Sequence, residues 1–85
     1  MLRGDSMLQV GLGLKIQALR KQLGISQEKF ALQINMDRTY FASIESGKRN
    51  LSLINLEKIA NGLGITLSEL FHDLHSGKEG DNRSD

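Results

Sequence analysis

The stretch "NMDRTYFASIESGKRN", residues 35–50, reads as one short helix with a marked start and a marked stop. Asp37 is a favourable N-cap, and Gly47 supplies the left-handed residue that ends the helix. Met36 before the cap and Phe41 four residues after it fit a hydrophobic staple, which fixes the angle at which the chain enters. Sorted by helical angle, Tyr40, Phe41 and Ile44 face a core or its edge. Arg38, Thr39, Ala42, Ser43 and Ser46 point away. All of these except Arg38 are short, so a large rigid body can come close to the helix backbone.

Working outward, the chain holds four further helical patterns separated by short breakers. Leu12, Ile16, Leu19 and Leu23 recur on one face of a first helix from about Gln9 to Gln22, which Gly24 ends. Ser26 caps a second helix, Gln27 to about Ile34, with Phe30, Ala31 and Ile34 inward. Asn35 then occupies a tight turn that asks for positive φ, where asparagine is the next best residue after glycine. Ser52 caps a fourth helix with an apolar stripe of Leu53, Leu56, Ile59, Ala60 and Leu63. Thr66 and Glu69 form a capping box for a fifth, lined by Leu67, Leu70, Phe71 and Leu74. The expected fold is all-α, a compact five-helix domain over residues 9–75 with a flexible N-terminus (1–8) and a disordered tail (76–85). The short link between the second and third helices is a helix-turn-helix arrangement.

Composition bounds the function. Eighty-five residues allow one domain, and 39% hydrophobic with 25% charged residues is ordinary for a globular chain. The absence of cysteine excludes a disulfide framework and a thiolate metal site. With no apolar run of membrane-spanning length and no signal-peptide pattern, the expected location is the cytoplasm. The net charge is only +1, but residues 15–49 carry seven cations against three carboxylates, while residues 57–73 carry one cation against three. One part of the surface can face an anion while another avoids it.

The B-DNA major groove admits one α-helix, and residues near the helix N-terminus read base edges. Arg38 suits a bidentate contact to guanine, and Thr39 can bond a base or pack its methyl group on thymine. The bland alternative is an exposed helix with nothing docked on it. The flanks weigh against it: Ser26 and Gln27 open the second helix, where free N–H groups favour a phosphate, and Lys48, Arg49 and Asn50 follow Gly47.

Residues 19–71, "LRKQLGISQEKFALQINMDRTYFASIESGKRNLSLINLEKIANGLGITLSELF", resemble the Cro and lambda-repressor-like (Xre-type) helix-turn-helix family. Within it, "DRTY" followed by "E-x-G-x-R-N-x-S-L" is similar to the controller proteins of restriction–modification systems. The resemblance implies that Arg38, Thr39 and Ser43 read bases while Gln27, Tyr40, Lys48, Arg49 and Asn50 hold phosphates. It implies a homodimer on a pseudo-palindromic double-stranded operator, with half-sites about 34 Å apart or a multiple of that. It also implies a structural ion pair between Arg20 and Glu45. Asn35 departs from the family's usual turn glycine.

Ile54, Ile65, Leu67, Leu70, Phe71 and Leu74 are more apolar residues than one small core needs, so a self-complementary dimer patch through the fifth helix and part of the fourth is expected. No cofactor is implied. His72, Asp73 and His75 make a poor metal site beside a helix end, and no activated nucleophile or glycine-rich phosphate loop is visible, so an enzyme is not expected. A generic repressor, or an antitoxin that works through protein binding, is the alternative. Glu69 and Asp73 suit a contact to RNA polymerase and serve equally well as solvated residues, which leaves repression and activation both open.

Overall fold

The four later helices of the domain each begin at the cap their sequence offers. In the computed structural model, which describes residues 7–74, the elements are α1 (Met7–Gln22), α2 (Gln27–Gln33), α3 (Arg38–Glu45), α4 (Leu53–Leu63) and α5 (Leu67–Phe71). Ser26 Oγ accepts from Lys29 N, Asp37 Oδ2 from Tyr40 N, and Ser52 Oγ from Asn55 N, at 3.0, 2.9 and 3.1 Å. Each bond satisfies one of the backbone donors that a helix start leaves open. At α5 the capping box is complete: Thr66 Oγ1 accepts from Glu69 N, and Glu69 Oε1 accepts from Thr66 N.

The α2–α3 turn works as the sequence requires. Asn35 adopts φ 55°, and Met36 N donates back to Ala31 O at 2.9 Å. Met36 is half-buried against the core and Phe41 is fully buried, which suits the staple. Phe30 of α2 and Phe41 of α3 meet with ring centroids 5.1 Å apart, tilted by 40°. With Ile16, Ile44, Ile59 and Leu70 they form the fully buried centre of the domain. Burying an aliphatic or phenyl side chain of this size contributes about 1.5–3 kcal/mol.

α1 crosses α3 closely because Gly13 has no side chain at the crossing. A Cβ there would lie 2.5 Å from Ile44 O and 2.6 Å from Glu45 O, both backbone atoms. α5 is only five residues long and is tied to α1 from outside its own turn. Lys15 Nζ donates to Glu69 O at 2.9 Å and also to His72 O, placing a cation on the carbonyls at the end of α5.

Several sequence expectations need correction. Met7 and Leu8, assigned to the flexible N-terminus, are the first residues of α1. Leu23 and Leu53 fit helical stripes by spacing, yet both are exposed, Leu53 at 74%. Each lies at an end of its helix (Leu23 just beyond α1, Leu53 first in α4), where the apolar stripe has run past the packing partner. Leu74 follows α5 rather than belonging to it, and is half-buried against the core. Residues 1–6 and 75–85, including His75 and the expected tail, lie outside the described residues.

Candidate nucleic-acid interface

The third helix is gripped from beneath by buried charge as well as apolar packing. Phe41 and Ile44 sink into the core beside Glu45, which is 4% exposed. Arg20 of α1, 6% exposed, meets Glu45 with both prongs: Nε to Oε2 at 2.6 Å and Nη2 to Oε1 at 3.0 Å. Its remaining nitrogen, Nη1, donates to Ile25 O at 2.7 Å, in the link that leads into α2. Gln27 Nε2 adds a bond to Glu45 Oε1 at 2.9 Å. One carboxylate therefore joins the end of α1, the start of α2 and the end of α3. The Glu45 hydrogen bonds hold the Arg20 pKa above its ordinary value, outweighing the opposing effect of burial. The guanidinium stays charged, and the pair expected from the family likeness is present.

The outer face carries the functional candidates. Arg38 and Thr39 stand exposed at the first turn of α3, followed by half-buried Ala42 and Ser43 and exposed Ser46. At the far end the chain closes in a Schellman motif, with Lys48 N bonding Ser43 O at 2.9 Å and Gly47 N bonding Ile44 O at 3.0 Å. Gly47 takes φ 79°, and a Cβ there would come within 2.8 Å of Val10 Cα. The backbone thereby reverses, and Lys48, Arg49 and Asn50 emerge exposed beside the helix.

Arg49 does not trail into solvent. Its guanidinium carbon sits 5.4 Å from the Tyr40 ring centroid, and its Nε donates to Ser43 Oγ at 3.3 Å. Ser43 Oγ in turn donates to Tyr40 O at 2.6 Å. Tyr40 OH accepts from Asn55 Nδ2 of α4 at 3.1 Å. Tyr40, Ser43, Arg49 and Asn55 thus form one polar cluster on the edge of α3.

The structure brings Arg38, Thr39, Ser43, Tyr40 and Arg49 onto or beside α3, with Lys48 and Asn50 adjoining. It gives two residues a different part. Gln27 turns its amide inward to Glu45, so its side chain positions the two helices. Lys15, among the cations of the basic segment, is spent on the carbonyls of α5. Ser26 Oγ is used as a cap acceptor, which leaves its hydroxyl hydrogen for another group. Asn55 and Gly13 lie outside the sequence expectations. Gly13 carried a signal, a lone glycine inside a helical pattern; Asn55 carried only its polarity in an apolar first turn.

Of the apolar residues expected at a dimer surface, Leu70 is 0% exposed and belongs to the core, because the α5 stripe turns this position directly onto the other helices. Ile54 is 70% exposed and Phe71 is also exposed. Ile65, Leu67 and Leu74 are half-buried against the core. No described helix is long and apolar enough to cross a membrane.

A helix-turn-helix family model matches residues 16–70. The control protein C.MunI of Mycoplasma sp. is 60% identical over 68 residues, covering 79% of this chain and 92% of that protein. The control protein C.BamHI of Bacillus amyloliquefaciens is 42% identical over 59 residues, 68% of this chain and 73% of that one. Among solved structures, the restriction-modification controller protein C.AhdI of Aeromonas hydrophila superposes with a TM-score of 0.72 at 41% identity, covering 74% of this chain and 96% of that one. The controller protein C.Esp1396I, solved as a tetramer in complex with its natural 35 base-pair operator, gives 0.74 at 36% identity, covering 81% and 91%. On these likenesses, the chain belongs to the helix-turn-helix family and, within it, to the restriction–modification controller proteins.

Proposed function

We propose that this protein is a sequence-specific DNA-binding transcriptional regulator that controls its own gene and a partner restriction endonuclease gene. The observation that carries the reading is the free face of α3, where exposed Arg38 and Thr39 lead into the short Ala42 and Ser43, flanked by the Lys48–Asn50 loop. Arg38, Thr39 and Ser43 meet base edges in the major groove. Tyr40, Lys48, Arg49, Asn50 and the start of α2 at Ser26 and Gln27 meet phosphates.

A homodimer on a pseudo-palindromic operator fits this geometry, since one eight-residue helix reads only a few base pairs. The dimer surface is built from exposed Ile54 and Phe71 with the accessible parts of Ile65, Leu67 and Leu74; Leu70 supports it from within. Operator binding by the C.Esp1396I tetramer supports the reading, and controller names among the relatives favour gene control over the antitoxin alternative. A contact to RNA polymerase would fall to exposed Asp73, because the Glu69 carboxylate is engaged in the capping box.

Footprinting on the protein's own upstream region across a salt series tests this. Two symmetric protected sites that weaken steeply with salt are expected. Absence of protection at low salt would overturn self-regulation.

A further inference from the structure

A phenol hydroxyl both donates and accepts, whereas a phosphate oxygen only accepts. Which way Tyr40 is used therefore depends on its other partner. That partner is the Asn55 amide, whose Nδ2 donates to Tyr40 OH at 3.1 Å from the first turn of α4. A lone pair of the phenol oxygen is consumed by this bond, and its own hydrogen is left to point elsewhere. On the ring face of the same residue, the Arg49 guanidinium lies 5.4 Å from the centroid, and Arg49 Nε also donates to Ser43 Oγ. Tyr40 is thereby fixed in position and in hydrogen-bond sense before any ligand arrives.

We propose that Asn55 is a positioning residue for operator binding: by donating to Tyr40 OH it commits the phenol to act as a donor toward a DNA phosphate. The inference rests on the DNA-binding reading above. Asn55 itself touches no nucleic acid, and it acts through one atom of its neighbour. Holding a donor in place before binding avoids the ordering cost that a free side chain would incur.

The test is a double-mutant cycle on operator DNA, using the full chain and variants Tyr40→Phe, Asn55→Ala and the two combined. Tyr40→Phe should weaken binding about tenfold, the scale of one hydrogen bond to a charged group. Asn55→Ala should weaken it about fivefold in the parent and less than about twofold in the Tyr40→Phe background. Neither change should alter the slope of log affinity against log salt, because a neutral donor releases no counterion. Lys48→Ala, by contrast, should reduce that slope by about one. Asn55→Asp provides the chemical control, since an acceptor in this place captures the phenol hydrogen. It should cost more in the parent than in the Tyr40→Phe background, where only its charge acts. Thermal unfolding of each variant separates loss of fold from loss of contact.

Equal effects of Asn55→Ala in both backgrounds would overturn the proposal, as would full affinity in Tyr40→Phe. Failure of the unmodified protein to bind any site in its upstream region would instead overturn the functional reading on which the proposal stands.

Discussion

Arg20 and Glu45, twenty-five residues apart in sequence, meet in the core as a two-pronged ion pair with a shortest separation of 2.6 Å. The pair sets the height and angle of α3 against α1. Through Ile25 O and Gln27 it sets the start of α2 as well. A buried pair of this kind adds little net stability compared with apolar packing, because both charges must be desolvated. Its contribution is geometric, and it is costly to halve.

Arg20→Ala is therefore expected to destabilise the domain by about 3–5 kcal/mol, the cost of stranding a buried carboxylate. Urea unfolding checks the figure, and operator binding should fall with the folded fraction. Unchanged stability would show that the pair is not structural. Because the Arg20 pKa is raised in the folded state, its contribution is fully present below the ordinary guanidinium range. It is lost only as pH rises through that higher folded value, so this group adds no pH dependence near neutrality.

Gly13→Ala should be destabilising although alanine is the better helix former. The propensity gain is about 1 kcal/mol. The added Cβ would sit 2.5 Å from Ile44 O, against backbone that cannot rotate away, so α1 must lift from α3. Overpacking of this sort costs about 1–3 kcal/mol, and the crossing also carries the ion pair. A melting temperature at or above that of the parent would show that the crossing can relax.

At Asn35 the chain holds φ 55° with a side chain present. Asn35→Ala should cost about 1 kcal/mol, since alanine lacks asparagine's tolerance of the left-handed region. Asn35→Gly should lie within about 0.5 kcal/mol of the parent, because relief of strain is offset by greater freedom in the unfolded chain. Chemical denaturation of the two variants side by side reads the difference. Equal costs would mean that the turn is held by Lys58, which donates to Asn35 O at 3.1 Å, rather than by local conformation.

Arg38→Ala should relax specificity at one base pair per half-site by about 1–3 kcal/mol. Arg49→Ala should weaken binding to every sequence alike and lower the salt slope by about one. Binding of both variants to a panel of single-substitution operators separates the roles. If Arg49→Ala also relaxes specificity at a single position, its perch beside Ser43 places it among the base readers.

Ile54→Glu and Phe71→Glu, two exposed apolar positions, should shift sedimentation toward monomer at tens of micromolar protein while leaving the helical spectrum intact. An unchanged sedimentation profile in both would place any two-fold contact elsewhere.

Much of this architecture is legible along the chain because its causes are local. Ser26, Asp37, Ser52 and Thr66 each bond a backbone N–H three residues onward, so helix starts follow from spacing alone. Asn35 and Gly47 announce their turns because few residues accept positive φ. The division of α3 into a buried face and a low polar face follows from its period, whereas the Arg20–Glu45 pair is implied by family likeness rather than by spacing. Tertiary structure decided the rest. Leu53 lies outside the core and Leu70 at its centre, though both occupy apolar stripe positions, because only the placement of neighbouring helices says where a stripe has a partner. Lys15 leaves the basic face to close α5, which begins some fifty residues later. Asn55 reaches Tyr40, and Gly13 lets α1 touch the carbonyls of α3, across separations that no periodicity encodes. Local hydrogen bonding and hydrophobic period are properties of the sequence itself, whereas the partner of a lysine, an amide or an exposed leucine is known only once the helices are packed.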